Sequence, residues 1–139
     1  IDEGDGIVFR LSGIYGLDRQ RMIGLAKSPQ SWPENRYTNR IFDNDAAHIS
    51  YHVICAVHEH KAISPPRVIN VTDSQPIDLY TVLSFIRLKL KLEPIEDLTQ
   101  DHIQGKRIIS SYLLKKMKYK FQYPNYQSGY LKIISTLLV

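Results

Sequence analysis

Ile7-Val8-Phe9-Arg10-Leu11-Ser12-Gly13-Ile14-Tyr15-Gly16 begins as a continuous apolar run with β-branched members, bounded by Gly6 before it and Ser12-Gly13 after it. That pattern predicts a strand buried on both faces. Gly13 and Gly16 then mark a turn, and a glycine-bearing loop at the carboxyl end of such a strand is where α/β folds open their ligand crevice. A second run of the same kind, Arg67-Val68-Ile69-Asn70-Val71, lies beyond an intervening helical pattern. Strand and helix signals alternate along the whole chain, which predicts α/β architecture with these two runs as interior members of a parallel sheet.

Working outward, residues 17–27 carry an apolar stripe (Leu17, Met22, Ile23, Leu25, Ala26) with a polar remainder, the pattern of a helix that Pro29 stops. Residues 28–39 turn polar and read as a loop anchored by Trp32 and Tyr37, of a length often given to function. Arg40-Ile41-Phe42 reads as a short strand. Asp43-Asn44-Asp45 offers N-cap residues to a helix over 45–59, whose apolar positions Ala46, Ile49, Val53, Ile54 and Val57 recur at helical spacing. Ser64-Pro65-Pro66 breaks the linker 61–66. Thr72-Asp73-Ser74 supplies a cap and Pro76 a first turn to a helix reaching Leu92, and 93–105 is loop-like. The last third predicts an extended piece at 106–109, Ser110 as an N-cap, a two-turn helix at 111–118, an edge strand at 119–123 and a closing helix at 126–138.

The balance of 43% hydrophobic and 23% charged residues suffices for a single core. No apolar run reaches the ~20 residues of a membrane span. The single cysteine, Cys55, lies in the apolar run 51–57, so no intrachain disulfide forms; it reads as a small hydrophobe in a reducing, cytoplasmic setting. Position 1 is Ile, followed by Asp2-Glu3-Gly4-Asp5-Gly6, and the start is expected to be internal to something longer. The net charge of +4 rests mainly on Lys115, Lys116, Lys118 and Lys120, interleaved with Tyr112, Tyr119, Phe121 and Tyr123. Such a mixture suits nucleic acid, but lysines on the outer side of a short helix and an edge strand are the simpler reading, so neither nucleic acid nor membrane is expected as a partner.

Five segments, in order, carry a family resemblance. Phe9-Arg10-Leu11-Ser12-Gly13-Ile14-Tyr15-Gly16 resembles the RxxGIYGPGR strand and loop of the extended short-chain dehydrogenase/reductases, in particular their atypical NAD-dependent epimerase/dehydratase-like members. Leu17-Asp18-Arg19 stands where Pro-Gly-Arg is commoner. Asn39-Arg40-Ile41-Phe42-Asp43-Asn44-Asp45-Ala46-Ala47 resembles NRIHxDDxA, with Phe42 in place of His and Asn44 interrupting the acidic pair. Val68-Ile69-Asn70-Val71-Thr72-Asp73-Ser74-Gln75-Pro76 resembles the YNVxDxxP strand-to-helix junction. Gly105-Lys106-Arg107-Ile108 and 123–130 resemble the closing GKR and YPxYxxGY segments.

The resemblance implies the carboxy-terminal portion of a Rossmann-like parallel sheet plus a small mixed α/β substrate-binding region, with residues 1–139 forming one partial domain. A complete relative would bind NAD or NADP through an amino-terminal half with a glycine-rich turn, followed by a Tyr-x-x-x-Lys pair. Gly4-Asp5-Gly6 is no such turn, and Tyr112 with Lys116 lies near the wrong end of the chain, so it reads as structural. No cofactor is therefore expected for this chain alone. The resemblance brings Ser12, Gly13, Tyr15 and Arg19 toward the nicotinamide end and phosphates of a nucleotide-sugar-like molecule; many epimerases have Asn at the position of Gly13. Turn geometry alone is the other reading of Gly13 and Gly16. Arg36 and Arg40 suit a diphosphate as planar forks, or alternatively an ion pair with Asp43 or Asp45, which themselves read as helix-start residues rather than acid/base groups.

His48 and His52 are four apart with His58, Glu59 and His60 beyond, a spacing that permits a metal; without a glutamate beside His48 or an evident third ligand they read as solvent-facing. The expected function is a substrate-binding, carboxy-terminal portion of a nucleotide-sugar epimerase/dehydratase, inactive alone and paired with an amino-terminal half or with itself. The alternative is a non-catalytic module that pairs with a partner through an exposed sheet edge.

Overall fold

The computed structural model describes residues 6–59, 65–98 and 102–139. The expected internal start at 1–5, His60, linker residues 61–64 and residues 99–101 of the loop lie outside the described residues. Two parallel pairings organise the chain. β1 (Val8–Leu11) pairs with β5 (Val68–Val71), with Phe9 opposite Ile69 and Leu11 opposite Val71. β2 (Gly13–Tyr15) pairs with β4 (Arg40–Phe42), placing Gly13 opposite Arg40 and Tyr15 opposite Phe42. A small antiparallel pair joins β3 (Tyr37–Thr38) to β6 (Ile77–Asp78). The helices are α1 (Arg21–Lys27), α2 (Asp43–His58), α3 (Leu79–Lys89) and α4 (Tyr126–Leu137).

Strand alternation divides the interior in two. Successive side chains on β2 and β4 point to opposite faces. Tyr15 and Phe42 join Ile23, Ala26, Leu83, Ile86, Tyr130 and Ile133 in a core between α1, α3 and α4. Their neighbours Ile14 and Ile41 turn the other way, to Ile49, Val53, Ile69, Val71 and Leu113 beneath α2. The β2–β4 ribbon is thus the partition between two apolar clusters.

Several expectations are corrected. β1 is not buried on both faces: Val8 is 55% and Leu11 50% exposed, and on β5 Val68 is 42% exposed, because β5 is the only strand beside β1 among the described residues. Ile54 and Val57 are exposed on α2, since the stripe that meets the core is Ala46, Ile49 and Val53. Helix α1 starts at Arg21 because residues 16–19 close a turn, with the Arg19 amide donating to the Gly16 carbonyl at 3.1 Å. The expected loop 28–39 contains a 3-10 turn at Pro29–Ser31 and strand β3. Helix α3 starts at Leu79, after β6, and its cap is Asp78, whose carboxylate accepts from the Thr81 amide at 2.9 Å. It ends at Lys89, and Lys91 adopts φ 57°.

The piece at 106–109 runs outside any sheet; the Asn39 amide group fastens it, donating to the Lys106 carbonyl and accepting from the Ile108 amide, both at 2.8 Å. The expected helix at 111–118 is one π-type turn, Tyr112–Lys116, with no side-chain cap. The expected edge strand at 119–123 is absent, because the Gln122 and Tyr123 amides donate to the Asp45 carboxylate instead. The lysines of this segment are exposed, whereas Tyr112, Tyr119, Phe121 and Tyr123 pack against the two cores.

α4 begins with a reciprocal cap: the Asn125 side chain accepts from the Ser128 amide at 2.9 Å, and the Ser128 hydroxyl faces the Asn125 amide. One residue on, Gly129 faces Tyr15, and a Cβ there would collide with the ring and hydroxyl of Tyr15. That ring has nowhere to go. It stacks on Tyr130 at 4.7 Å, meets Phe42 edge-on at 5.2 Å and donates its hydroxyl to the Asn125 carbonyl at 3.3 Å. Alanine gains about 1 kcal/mol of helix propensity over glycine, but overpacking costs about 1–3 kcal/mol. Gly129→Ala is therefore expected to lower the urea midpoint, whereas Gly24→Ala, in α1 with open space at its Cβ position, raises it. A higher midpoint for Gly129→Ala would mean that Tyr15 is free to move.

Candidate functional site

The residues singled out by sequence meet in part. The Ser12 amide donates to the Val71 carbonyl at 3.1 Å, extending the β1–β5 ladder by one step, and the Gly13 amide donates to the Asn39 carbonyl at 3.1 Å. A Cβ at Gly13 would sit 3.3 Å from that carbonyl, so close backbone approach contributes to the choice of glycine there. Arg40 lies opposite Gly13. Its carbonyl accepts from the Asp73 amide at 2.8 Å and the Thr72 hydroxyl at 3.3 Å. Ser12, Gly13, Arg40, Thr72 and Asp73 thus form one hydrogen-bonded joint where β1 and β5 end and where β2 and β4 start.

Two buried polar side chains belong to that joint, and each feels the other's charge. Arg40 is buried; one guanidinium nitrogen, Nη2, donates to the Thr38 hydroxyl, while Nη1 has no hydrogen-bond partner among the described residues. Asp73 accepts from the Gln75 amide at 2.9 Å through Oδ1, and its buried Oδ2 is likewise without a partner. Burial pushes the Asp73 carboxyl up to about 6; the Gln75 amide and the Arg40 charge pull the other way, and the Asp45 charge adds to the rise. No ion pair of Arg40 with Asp43 or Asp45 is formed among the described residues: Asp43 accepts from the Asn44 amide, and Asp45 accepts from Tyr119, Gln122 and Tyr123.

Tyr15 is in the core, and burial, with a smaller contribution from Asp73, holds its phenol well above the usual range. Its ring packs between Phe42 and Tyr130. Arg19 and Arg36 are exposed, in the turn after β2 and just before β3, and neither side chain makes a hydrogen bond or ion pair among the described residues. The structure therefore joins Ser12, Gly13 and Arg40, sets Tyr15 beneath them, and leaves Arg19 and Arg36 facing solvent.

A hollow of about 310 Å³ at the start of α3 is lined by Asp78, Tyr80, Thr81, Ser84 and Leu98. Buried Asn35 braces its rim, donating to Asp78 Oδ1 at 3.0 Å and accepting from the Tyr80 amide at 2.9 Å. Burial alone would raise the Asp78 carboxyl, but hydrogen bonds from the Thr81 hydroxyl and amide and from Asn35 outweigh it and lower it. Asn35 stands 43 residues before Asp78, so no local pattern announces the pair. None of the residues singled out by sequence lines this hollow.

A dinucleotide pyrophosphate needs backbone amides at an uncluttered, positive helix start. The starts of α2 and α3 do not offer one. α2 opens with Asp43 and Asp45 in its first turn and α3 is capped by Asp78, so the helices that follow β4 and β6 already present carboxylates at their amino ends. No group of three or more His, Cys, Asp or Glu is placed to hold a metal among the described residues, and no described helix is long and apolar enough to cross a membrane.

No family model and no curated protein matches the chain. Solved structures do. A protein from Methylobacillus flagellatus assigned as an NAD-dependent epimerase/dehydratase is similar over 96% of this chain and 48% of its own, at 30% identity and a TM-score of 0.83. A UDP-N-acetylglucosamine 4-epimerase from Bacillus cereus matches 94% of this chain and 43% of its own at 15% identity and a TM-score of 0.62. A dTDP-glucose 4,6-dehydratase from Bacillus anthracis, solved in complex with NAD, matches 93% and 43% at 18% identity and a TM-score of 0.62. The chain spans about half the length of each. Its α/β fold, with parallel strands and flanking helices, is the Rossmann-like fold of the epimerase/dehydratase structures.

Proposed function

We propose that this chain is the carboxy-terminal, substrate-side portion of an NAD(P)-dependent epimerase/dehydratase acting on a nucleotide-sugar-like molecule, and that another segment, lying beside β1, holds the dinucleotide. The observation that carries this reading is β1 itself. It pairs on one side only among the described residues and turns Val8 and Leu11 outward, while the likeness to the Methylobacillus flagellatus structure covers 48% of that protein. A parallel strand of this composition is normally covered on both faces. In this reading Arg19 and Arg36, exposed and uncommitted, grip a diphosphate in bidentate fashion, while Arg40, turned inward, positions the Ser12–Gly13 loop through the joint with Asp73.

Calorimetric titration of the 139-residue chain tests the proposal in two arms. UDP-glucose is expected to give saturable heat that Arg19→Ala and Arg36→Ala weaken, and NAD+ or NADH is expected to give none. Micromolar affinity for the dinucleotide would overturn the assignment of that ligand to another segment. Absence of heat from UDP-glucose would remove the substrate class.

A further inference from the structure

The solvent side of α2 carries two imidazoles one helical turn apart. His48 and His52 both lie within the uninterrupted helix Asp43–His58, and both are exposed. Residues four apart on an α-helix share a face, with about 5–6 Å between their Cβ atoms and about 6 Å of rise. Two histidines so placed can each turn one ring nitrogen to the same ion. Neither ring makes a hydrogen bond or ion pair among the described residues. The His52 ring is placed by aromatic edges instead, Tyr51 at 5.9 Å and Tyr119 at 6.2 Å, and Tyr119 is itself tethered to Asp45. Its orientation is thus restricted while its nitrogens stay uncommitted.

We infer that His48 and His52 form a two-imidazole chelate for a divalent transition-metal ion, with copper(II) held best and nickel(II) and zinc(II) more weakly. Imidazole suits all three ions, and copper(II) heads the affinity order. The helix backbone holds the second imidazole at high effective concentration once the first has bound, which makes the pair stronger than either ring by about a hundredfold or more. Among the described residues no third protein ligand completes the shell. Cys55 shares the face but stands about 10 Å along the axis from His48, and Asp45 is buried and occupied by its three donors. The site is accordingly open-sided, its remaining positions filled by water, and unlike a closed structural zinc site. It is independent of the substrate proposal.

Titration of the whole chain with copper(II) chloride in a non-coordinating buffer tests the site. One ion is expected to bind saturably, with His48→Gln and His52→Gln each weakening it at least about tenfold, and His58→Gln at the helix end leaving it unchanged. Electron paramagnetic resonance of the bound ion should show coupling to two imidazole nitrogens. Copper should also raise the thermal midpoint of the parent chain but not of either variant, because an ion held only by the folded helix stabilises it. Both positions are on the surface, so the variants fold, which circular dichroism checks. Affinity indifferent to either substitution, a loss confined to one of the two, or no saturable binding would each overturn the inference.

Discussion

Asp45→Ala will lower the unfolding free energy by about 3–5 kcal/mol, the range for breaking a buried, hydrogen-bonded charge network. The side chain is fully buried in the first turn of α2, yet its hydrogen bonds are long-range: Oδ1 accepts from the Tyr119 hydroxyl and the Gln122 amide, and Oδ2 from the Tyr123 amide, each at 2.8 Å. Alanine leaves two amides and a phenol without their acceptor, each worth about 1–3 kcal/mol when stranded away from water. Burial, and then the carboxylate it donates to, already hold the Tyr119 phenol above its usual range. Asp45→Asn keeps one carbonyl acceptor and should lose less. Urea denaturation measures both. A loss below about 1 kcal/mol would show that the Phe42–Tyr123 stack, with centroids 3.9 Å apart, holds segment 119–123 without the carboxylate.

Asp73 governs the second large effect, which appears as a dependence on pH. Its folded carboxyl titrates at about 6, raised from 3.8. A carboxyl raised on folding contributes stability that is fully present below the unfolded value of 3.8 and is lost as pH rises through about 6. About two units at 1.36 kcal/mol each amounts to about 3 kcal/mol over the whole window. Asp73→Asn has no charge to titrate. The stability of the parent chain relative to this variant should therefore increase as pH falls from 7.5 to 4, measured by urea denaturation at each pH. A constant difference would show that Asp73 titrates normally and that the buried joint with Arg40 is better solvated than its geometry implies.

These two carboxylates also mark what the sequence could reveal. Local signals were readable: the β-branched runs became β1 and β5, paired in parallel, and helical periodicity gave α2 and α4 nearly to their ends. Asp45 reads locally as a helix-start residue and does lie in the first turn of α2. Its partners, 74 to 78 residues away, leave no trace in spacing. The same applies to β3 and β6, two residues each, whose pairing displaces the start of α3 from Pro76 to Leu79. Alternation at 119–123 predicts a strand because it is blind to where the amides go, and they go to one side chain rather than to a neighbouring strand. Among the candidate site residues, Ser12 and Gly13 fall at the strand end that the glycine pattern indicated. The arginines could not be sorted by type alone, since burial of Arg40 and exposure of Arg19 and Arg36 depend on tertiary packing.

The partition formed by β2 and β4 bears on how this chain tolerates change in length. Ile41 and Phe42 are adjacent in sequence but serve opposite clusters. An insertion or deletion of one residue between Asn39 and Phe42 would exchange their destinations, pushing an aromatic ring into the space shaped for an aliphatic one and the reverse. Divergence along this ribbon is therefore confined to replacement of side chains, whereas the turn between Gly16 and Arg19 is open to growth.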